Sequence, residues 1–188
     1  MPPKVKINKD AIVRAAVELV REQGESALNA RNLALRLKCS TQPIFSNFAS
    51  MRDLRDAVIA EAYAMYLRYM EREIRSGAYP AYKASGMAYI RFAAEEKALF
   101  QLLYMRDRTD EAINDENEES NTIIAMVRKG TGLSEEEAKL FHLEMWATVH
   151  GIAAMIATGY LSLDMDLVSR MLTDNYQGLK KHYGERGE

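Results

Sequence analysis

Apolar residues recur along most of this chain at the three-to-four-residue spacing of a single helix face, and no long segment alternates with the period of a strand. The first such segment runs from Ala11 to Leu19. It follows Asn8, a residue type that caps helix N-termini, and it precedes Gly24, where a left-handed residue is favoured. The pattern therefore predicts a first helix between Asn8 and Gly24.

Two short amphipathic segments and one long segment come next. The short ones cover residues 29–37 and 41–47, and Ser40 is the expected cap of the second. Ser50 and Asp53 resemble a capping box that opens a long helix reaching about residue 75. Further helices are predicted at residues 80–95, 96–104, 110–129, 134–159 and 166–183.

This pattern predicts an all-α fold of about nine helices. Two short helices joined by a few residues are too small to bury a core, so they need the first helix as a third wall. We therefore expect a three-helix helix-turn-helix head over residues 1–54 and a second helical bundle over residues 55–188.

The second short helix carries a polar face. Its inward residues are predicted to be Ile44, Phe45 and Phe48. Pro43 falls in the first turn, where its missing N–H costs little. The outward side chains are short hydrogen-bonding groups that can reach base edges and phosphates in a DNA major groove, namely Thr41, Gln42, Ser46 and Asn47. For this helix alone, an ordinary solvated face is an equal alternative.

The distribution of charge favours DNA contact. Residues 1–56 hold ten Lys and Arg against six Asp and Glu, whereas the remainder holds fifteen against twenty-one. A basic head on an acidic body is typical of proteins in which only the head meets a polyanion. The basic residues that surround the polar helix in sequence are Lys4, Lys6, Lys9, Arg31, Arg36, Lys38 and Arg52.

Three segments, residues 11–16 (AIVRAA), 28–34 (LNARNLA) and 40–48 (STQPIFSNF), resemble in order and spacing the head of the TetR, or tetracycline repressor-like, family of transcriptional regulators. The resemblance implies that residues 41–47 form the recognition helix and that Asn29, Arg31, Ser40 and Asn47 contact phosphates. The predicted DNA-binding set is Asn29, Arg31, Lys38, Ser40, Thr41, Gln42, Pro43, Ser46, Asn47 and Arg52.

Three residues depart from the family pattern. The chain has Lys38, Phe45 and Met51 where the family usually has glycine, tyrosine and lysine, respectively. Phe45 has no hydroxyl group to offer a phosphate, and Met51 has no charge. Lys38 and Arg52 are the candidates to replace these contacts.

The second half resembles a common subtype of TetR ligand domain, through residues 89–93 (YIRFA), 98–104 (ALFQLLY) and 146–151 (WATVHG), the last being a Trp-x-x-x-His-Gly motif. The resemblance implies a ligand-binding and dimerisation domain over residues 55–188. Eleven methionines lie scattered among aromatic residues, which suits a pocket for varied apolar ligands, although plain core filling explains any single Met. The predicted ligand pocket consists of Tyr66, Phe92, Phe100, Tyr104, Met126, Trp146 and His150.

Small side chains repeat on the helix predicted at residues 134–159, at Ala147, Gly151, Ala154 and Thr158. They permit a close approach, either by a partner subunit or by a neighbouring helix of the same chain. Leu167, Met171 and Leu172 of the last helix are predicted to complete a four-helix interface. We favour a homodimer, because a helix-turn-helix protein gains specificity from two half-sites.

Little in the sequence points to catalysis or to metal binding. There is no nucleophile elbow, phosphate loop or metal-binding helix motif, so no enzyme, cofactor or metal is expected. Cys39, the one cysteine, is a small apolar filler or a redox-sensing thiol, and the first is favoured. His150 is favoured as a core histidine over a metal ligand. The acidic run at residues 107–119 is a solvated face or a site of metal capture.

Residues 145–163 contain no Asp, Glu, Lys or Arg and are long enough to suggest a membrane span. They include His150 and several Thr, Ser, Gly and Ala residues, so a buried core helix is favoured. A single cysteine suits a reducing compartment, and residues 1–9 are polar and basic rather than a leader, so a cytoplasmic protein without membrane contact is expected.

Together these features predict a ligand-responsive, DNA-binding transcriptional regulator. The favoured form is a repressor that binds double-stranded DNA at a palindromic operator and is released by a small, largely apolar effector. Activation instead of repression and a helical interaction module without DNA contact are the alternatives. The second alternative leaves the charge asymmetry unexplained.

Overall fold

The computed structural model describes residues 7–107 and 118–185. Within these ranges the chain is helical and contains no strand, which confirms the predicted all-α fold. The helices are α1 (Lys9–Gln23), α2 (Ala30–Arg36), α3 (Gln42–Asn47), α4 (Met51–Ser76), α5 (Ala81–Glu95), α6 (Lys97–Tyr104), α7 (Glu118–Thr131), α8 (Glu135–Ala157) and α9 (Met165–Glu185). The start predicted for the seventh helix, at residue 110, lies outside the described residues.

The first two helices begin where their capping residues predict. The Asn8 side chain accepts a hydrogen bond from the Ala11 amide at 2.9 Å, and Gly24 ends α1 with a positive φ of 78°. Asn29 caps α2 in the same way, through the Asn32 amide at 2.9 Å. These local bonds satisfy amides that have no partner within their own helix.

The prediction for the cap of α3 is wrong. Thr41, not Ser40, occupies the capping position, and no side chain there bonds to a helix amide. Thr41 has helical backbone angles, so its hydroxyl group is not placed to reach back to the helix start.

Helix α4 starts and stops close to its predicted ends. The Ser50 hydroxyl accepts a hydrogen bond from the Asp53 amide at 3.1 Å, which supports one half of the predicted capping box. Gly77, with φ of 68°, follows the last residue, and Pro80 precedes α5.

The described helices form two compact units. The N-terminal unit contains Met1–Leu67 and Glu96–Arg106, and α6 belongs to it because it packs on α1. The helices α1, α2, α3, α4 and α6 each contribute a fully buried side chain, namely Ile12, Leu33, Ile44, Leu54 and Leu99, respectively. The predicted boundary between residues 54 and 55 separates a DNA-binding domain from a ligand-binding domain. It divides the chain by function rather than by packing, and it stays a prediction.

The C-terminal unit contains Arg68–Glu95 and Asp107–Glu188. Its central helix is α8, which packs on α5, α7 and α9 and begins with a complete capping box between Ser134 and Glu137. Phe141 and Met145 of α8 pack with Val127 and Tyr183 in a buried cluster.

By length and composition, α8 alone among the described helices is apolar enough to cross a membrane, with a mean hydropathy of 1.3. A core helix passes the same test. Because α8 packs against α5, α7 and α9, it is the core helix of the C-terminal unit.

Candidate functional site

Helix α3 is anchored by two side chains that lie one turn apart. Ile44 and Phe48 are buried in the N-terminal unit, and the Lys9 ammonium group lies 5.2 Å from the centre of the Phe48 ring. The opposite side of α3 is left to solvent. Thr41, Gln42 and Ser46 are exposed, as predicted from their polarity.

Phe45 does not face inward as predicted, because half of its surface (50%) is exposed. Successive residues of a helix are about 100° apart, so a helix that buries Ile44 and Phe48 directs Phe45 away from that face. The sequence showed three apolar residues in α3, but only two of them share the buried side.

The polar side chains of α3 differ in how free they are to bind a partner. Asn47 is partly buried and donates from Nδ2 to the carbonyl oxygen of Pro43 at 2.7 Å, and the Ser46 hydroxyl donates to the carbonyl oxygen of Gln42 at 2.9 Å. Among the described residues, Thr41 and Gln42 have no side-chain hydrogen bond. These two side chains are therefore the most available for contact with DNA.

The cations near α3 fall into two groups. Arg36 forms a double hydrogen bond with Glu22 at 2.6 and 2.8 Å, and Arg55 pairs with Glu25 at 2.6 Å. The bond from Arg36 lowers the pKa of the Glu22 carboxyl group, and Glu22 raises that of Arg36. These two arginines, of which Arg36 was counted in the basic flank, are already neutralised by carboxylates.

Three other cations remain available for phosphate. Arg31, Lys38 and Arg52 are exposed, and none forms an ion pair with a carboxylate in the part of the chain that the structure describes. All three belong to the predicted DNA-binding set. Lys4 and Lys6 lie outside the described residues.

The turn between α2 and α3 has an unusual backbone. Lys38 adopts a positive φ of 52°, and no other non-glycine residue does so within the described ranges. The amide of Cys39 next to it donates to the carbonyl oxygen of Ala34 at 3.0 Å, and Cys39 is partly buried. Glycine would adopt this conformation without the steric cost that the Cβ atom of Lys38 brings.

A paired carboxylate that the sequence analysis missed ties α6 to α1. Glu96 is only 7% exposed, and it accepts hydrogen bonds from Arg21 Nε at 2.7 Å and from Arg21 Nη2 at 2.5 Å. Arg21 also donates to Glu18, and its bonds to Glu18 and Glu96 raise the pKa of the guanidinium group. No sequence signal distinguishes Glu96 from its exposed neighbour Glu95.

Three of the predicted pocket residues meet in the N-terminal unit. Tyr104 packs edge-on against Tyr66, with ring centres 6.1 Å apart, and lies 5.2 Å from the ring centre of Phe100. Tyr66 and Phe100 are buried. These three aromatic rings therefore form one cluster. Residues that line one pocket must lie close together, and these three do.

The other four predicted pocket residues lie in the C-terminal unit. Phe92 is buried and contacts the Tyr69 ring, and Met126 on α7 is partly buried. Trp146 is 42% exposed, and its ring stacks on His150 at 4.9 Å. The assignment of all seven residues to a single ligand pocket stays a prediction.

Two tyrosine–histidine pairs join α5 to α8. The hydroxyl group of Tyr82 lies 3.0 Å from Nδ1 of His142, and that of Tyr89 lies 2.9 Å from Nδ1 of His150. Burial lowers the pKa of both histidines and raises that of Tyr82. The hydrogen-bonded pair favours His150 as a core histidine. The sequence analysis did not predict these pairs. The seven-residue spacing of the two tyrosines and the eight-residue spacing of the two histidines are the signal that could have indicated them.

In the described ranges, no group of three or more His, Cys, Asp and Glu side chains is arranged to hold a metal ion. Most of the acidic run at residues 107–119 lies outside those ranges.

The surface shared by α8 and α9 carries exposed apolar side chains. We define the α8–α9 face by Leu140, Leu143, Ala147, Leu167 and Met171, which are all exposed. A methyl group added at Gly151 would meet nothing within 4 Å, so the small-residue stripe has open space beside it there. The assignment of Leu172 to this face is wrong, because it is buried and its Cδ1 would lie 3.4 Å from a Cβ at Gly86.

Comparison with known proteins identifies the family and the fold of the chain. The family described as tetracyclin repressor-like, C-terminal domain, matches residues 82–175. Among 17 matching chains of solved structures is a member of the TetR family from Streptomyces coelicolor A3. Its TM-score is 0.59 at 15% identity, and the match covers 92% of this chain and 98% of the other. No curated protein matches the sequence significantly.

Proposed function

This chain belongs to the tetracycline repressor-like family of ligand-responsive transcription regulators, and from that premise we propose that it is a repressor that binds a palindromic operator as a homodimer and is released by a small apolar effector. Proteins of this family are in general soluble DNA-binding regulators rather than enzymes. We place this one in the cytoplasm, without a cofactor.

The observation that carries the DNA-binding proposal is the set of unengaged groups on α3 and beside it. Thr41 and Gln42 are exposed without internal hydrogen bonds, and Arg31, Lys38 and Arg52 are exposed without carboxylate partners among the described residues. Uncompensated cations supply affinity for phosphates, and short polar side chains on a helix read base edges in the major groove.

The proposed subunit interface is the α8–α9 face. Helices α8 and α9 from each subunit would form a four-helix contact that covers these exposed apolar residues. A twofold dimer places two recognition helices on half-sites that are one DNA turn apart, roughly 34–36 Å. This geometry accounts for the palindromic operator in the proposal.

The proposed effector is small and largely apolar because the predicted pocket residues are mostly aromatic. An effector that favours a dimer with the wrong helix spacing weakens DNA binding. By linkage, the effector must bind the DNA-bound dimer more weakly, and by the same factor.

The test is a fluorescence-anisotropy titration of the whole protein against duplex DNA from beside its own gene, over a series of salt concentrations. We expect the affinity to fall steeply with salt, with a slope of about −0.9 for each phosphate neutralised. Removing Arg52 (Arg52→Ala) deletes two cations from a dimer, so the slope should become shallower by about two. Binding that does not weaken with salt would contradict the proposal.

Specific recognition is tested with Gln42→Ala, because this side chain has no internal role in the described structure. Each lost base contact should cost about 1–3 kcal/mol at each half-site. The control is Gln177→Ala on α9, where Gln177 is exposed. Asn47→Ala is a poorer probe, since it also removes a bond within α3. Unchanged specificity in Gln42→Ala would overturn the assignment of α3 as the recognition helix.

A further inference from the structure

Phe45 is an exposed aromatic side chain on the helix that otherwise presents polar groups. Half of the Phe45 surface is exposed, whereas Ile44, just before it, and Phe48, three residues after it, are buried. Within the described residues, the Phe45 ring stacks on no other aromatic ring and no cation lies over it. Half of the phenyl surface is therefore exposed, with no aromatic ring or cation of the described residues against it.

The helical spacing places Phe45 with the available polar groups of α3. Thr41 precedes it by four residues and Gln42 by three, and residues at these separations are neighbours on one side of a helix. Thr41 has helical backbone angles, so the spacing holds from that residue onward. The phenyl ring thus belongs to the same surface as the two side chains proposed to contact DNA.

A phenyl ring can recognise only one kind of group in the major groove. It has no hydrogen-bond donor or strong acceptor, so it satisfies none of the polar atoms on base edges. Thymine is the base that presents an apolar group there, its C5-methyl. A phosphate contact through a hydroxyl group, which tyrosine would provide, is not open to phenylalanine.

We propose that Phe45 is a specificity-determining residue that selects thymine by packing its ring on the thymine methyl group. This inference rests on the proposed function, because it assumes that α3 enters the major groove of an operator. It adds an apolar reading position beside Gln42, and it predicts an A·T pair at that position in each half-site.

The test uses operator duplexes in which each thymine is replaced, one position at a time, by deoxyuracil, which lacks only the methyl group. The probe is the full-length protein, and affinities are measured by anisotropy at one salt concentration. We expect an effect at only one position of each half-site. There, the wild type should lose about fourfold in affinity for each methyl group removed, which is the effect of burying one methylene group. In Phe45→Ala the same replacement should have no effect.

Two further variants make the result specific to the ring. Phe45→Leu keeps an apolar side chain and should retain part of the methyl dependence. Leu35→Ala removes the other exposed large apolar side chain of α2 and α3, and it should leave the methyl dependence at its wild-type size. A thermal melt should show Phe45→Ala as stable as the wild type, because the side chain lies outside the core.

The outcomes separate this inference from the proposed function. If the wild type shows no salt-dependent binding to any operator duplex, both are overturned. If it binds but deoxyuracil has the same effect in the wild type and in Phe45→Ala, only the role of Phe45 is overturned. A loss of affinity in Phe45→Ala without any methyl dependence would assign the ring to the sugar–phosphate backbone and would also overturn base reading.

Discussion

At the scale of single residues, Lys38 combines a conformational cost with an exposed charge. Its φ of 52° lies in the left-handed region, which costs a residue with a Cβ atom about 1–2 kcal/mol relative to a normal helical conformation. Glycine would avoid this cost, but it would carry no charge. A lysine in this conformation fits a role in phosphate binding, since Lys38 is exposed and has no ion pair with the described carboxylates.

Three substitutions separate the conformation of Lys38 from its charge. Lys38→Gly should be about 1 kcal/mol more stable to unfolding than Lys38→Ala, because only alanine keeps the strain. Both variants should bind DNA equally weakly, with a salt slope shallower by about two per dimer. Urea unfolding and anisotropy measure the two effects. Lys38→Arg is the charge-retaining control. Equal stability of the glycine and alanine variants would show that the turn is not strained.

At the scale of the elements, the Arg21–Glu96 pair fixes α6 against α1. The carboxylate is buried and accepts two hydrogen bonds from one guanidinium group, which is a rigid, directional contact. In this chain, a displacement of α6 would therefore act directly on the first helix of the head.

Removing Arg21 should leave Glu96 as a buried carboxylate without its cation. Arg21→Ala should lower the free energy of unfolding by about 2 kcal/mol, below the ~3–5 kcal/mol typical of fully buried pairs because the Arg21 side chain is 37% exposed. Arg36→Ala, which breaks the more exposed pair with Glu22, should lower the free energy of unfolding much less than Arg21→Ala does. Chemical denaturation measures both. An equal loss of stability in the two variants would show that the burial of Glu96 does not make its pair with Arg21 more important for stability.

The tyrosine–histidine pairs at the contact of α5 and α8 make stability depend on pH. Burial lowers the pKa of His142 and raises that of Tyr82, so both groups are held neutral near pH 7. The unfolded chain binds a proton at His142 at a higher pH than the folded chain does. Stability contributed by the neutral histidine is therefore lost as the pH falls below about 6.5, the ordinary pKa of histidine.

We expect His142→Gln to be less sensitive to acid than the wild type. The measurement is the urea midpoint at a series of pH values from neutral to mildly acidic, and the predicted signature is a shallower fall for the variant below about pH 6.5. His182→Gln is the matched control, because His182 is exposed on α9. If the wild type and His142→Gln lose stability in parallel, another group must carry the proton linkage.

At the scale of the whole molecule, the exposed apolar α8–α9 face needs an explanation. Leu143 and Leu167 lie open to solvent on helices whose opposite sides are packed in the core. Exposed leucines are common singly, but several on one pair of helices are typical of an interaction surface. We propose a second copy of the chain as its partner, since a dimer would also double the proposed recognition helix.

A charge in the centre of this face should separate the subunits. Leu143→Glu is expected to be a folded monomer by sedimentation, because burying two unpaired carboxylates at a twofold interface is unfavourable. The operator affinity of that monomer should fall to that of one half-site. Lys129→Glu on α7, an exposed position that is not part of the α8–α9 face, should remain dimeric. A dimeric Leu143→Glu would place the interface elsewhere.

Much of the local structure could be predicted because its causes are local. Asn8, Gly24 and Asn29 set helix ends through bonds or backbone angles within a few residues, and the structure follows them. The same applies to the Ser134 capping box. Where the cap depended on one backbone conformation, at Ser40 and Thr41, sequence alone chose the wrong residue.

The sequence by itself thus determined the helices, the polar character of α3 and the basic head. The tertiary structure decided the rest, as Phe45, Leu172 and Glu96 show. Helical periodicity gives the angle between side chains of one helix, but the packing of other helices determines which angle is covered. That packing exposes Phe45, buries Leu172, and brings Arg21 to Glu96 across 75 residues of sequence. Such contacts depend on distant segments, so no local pattern encodes them.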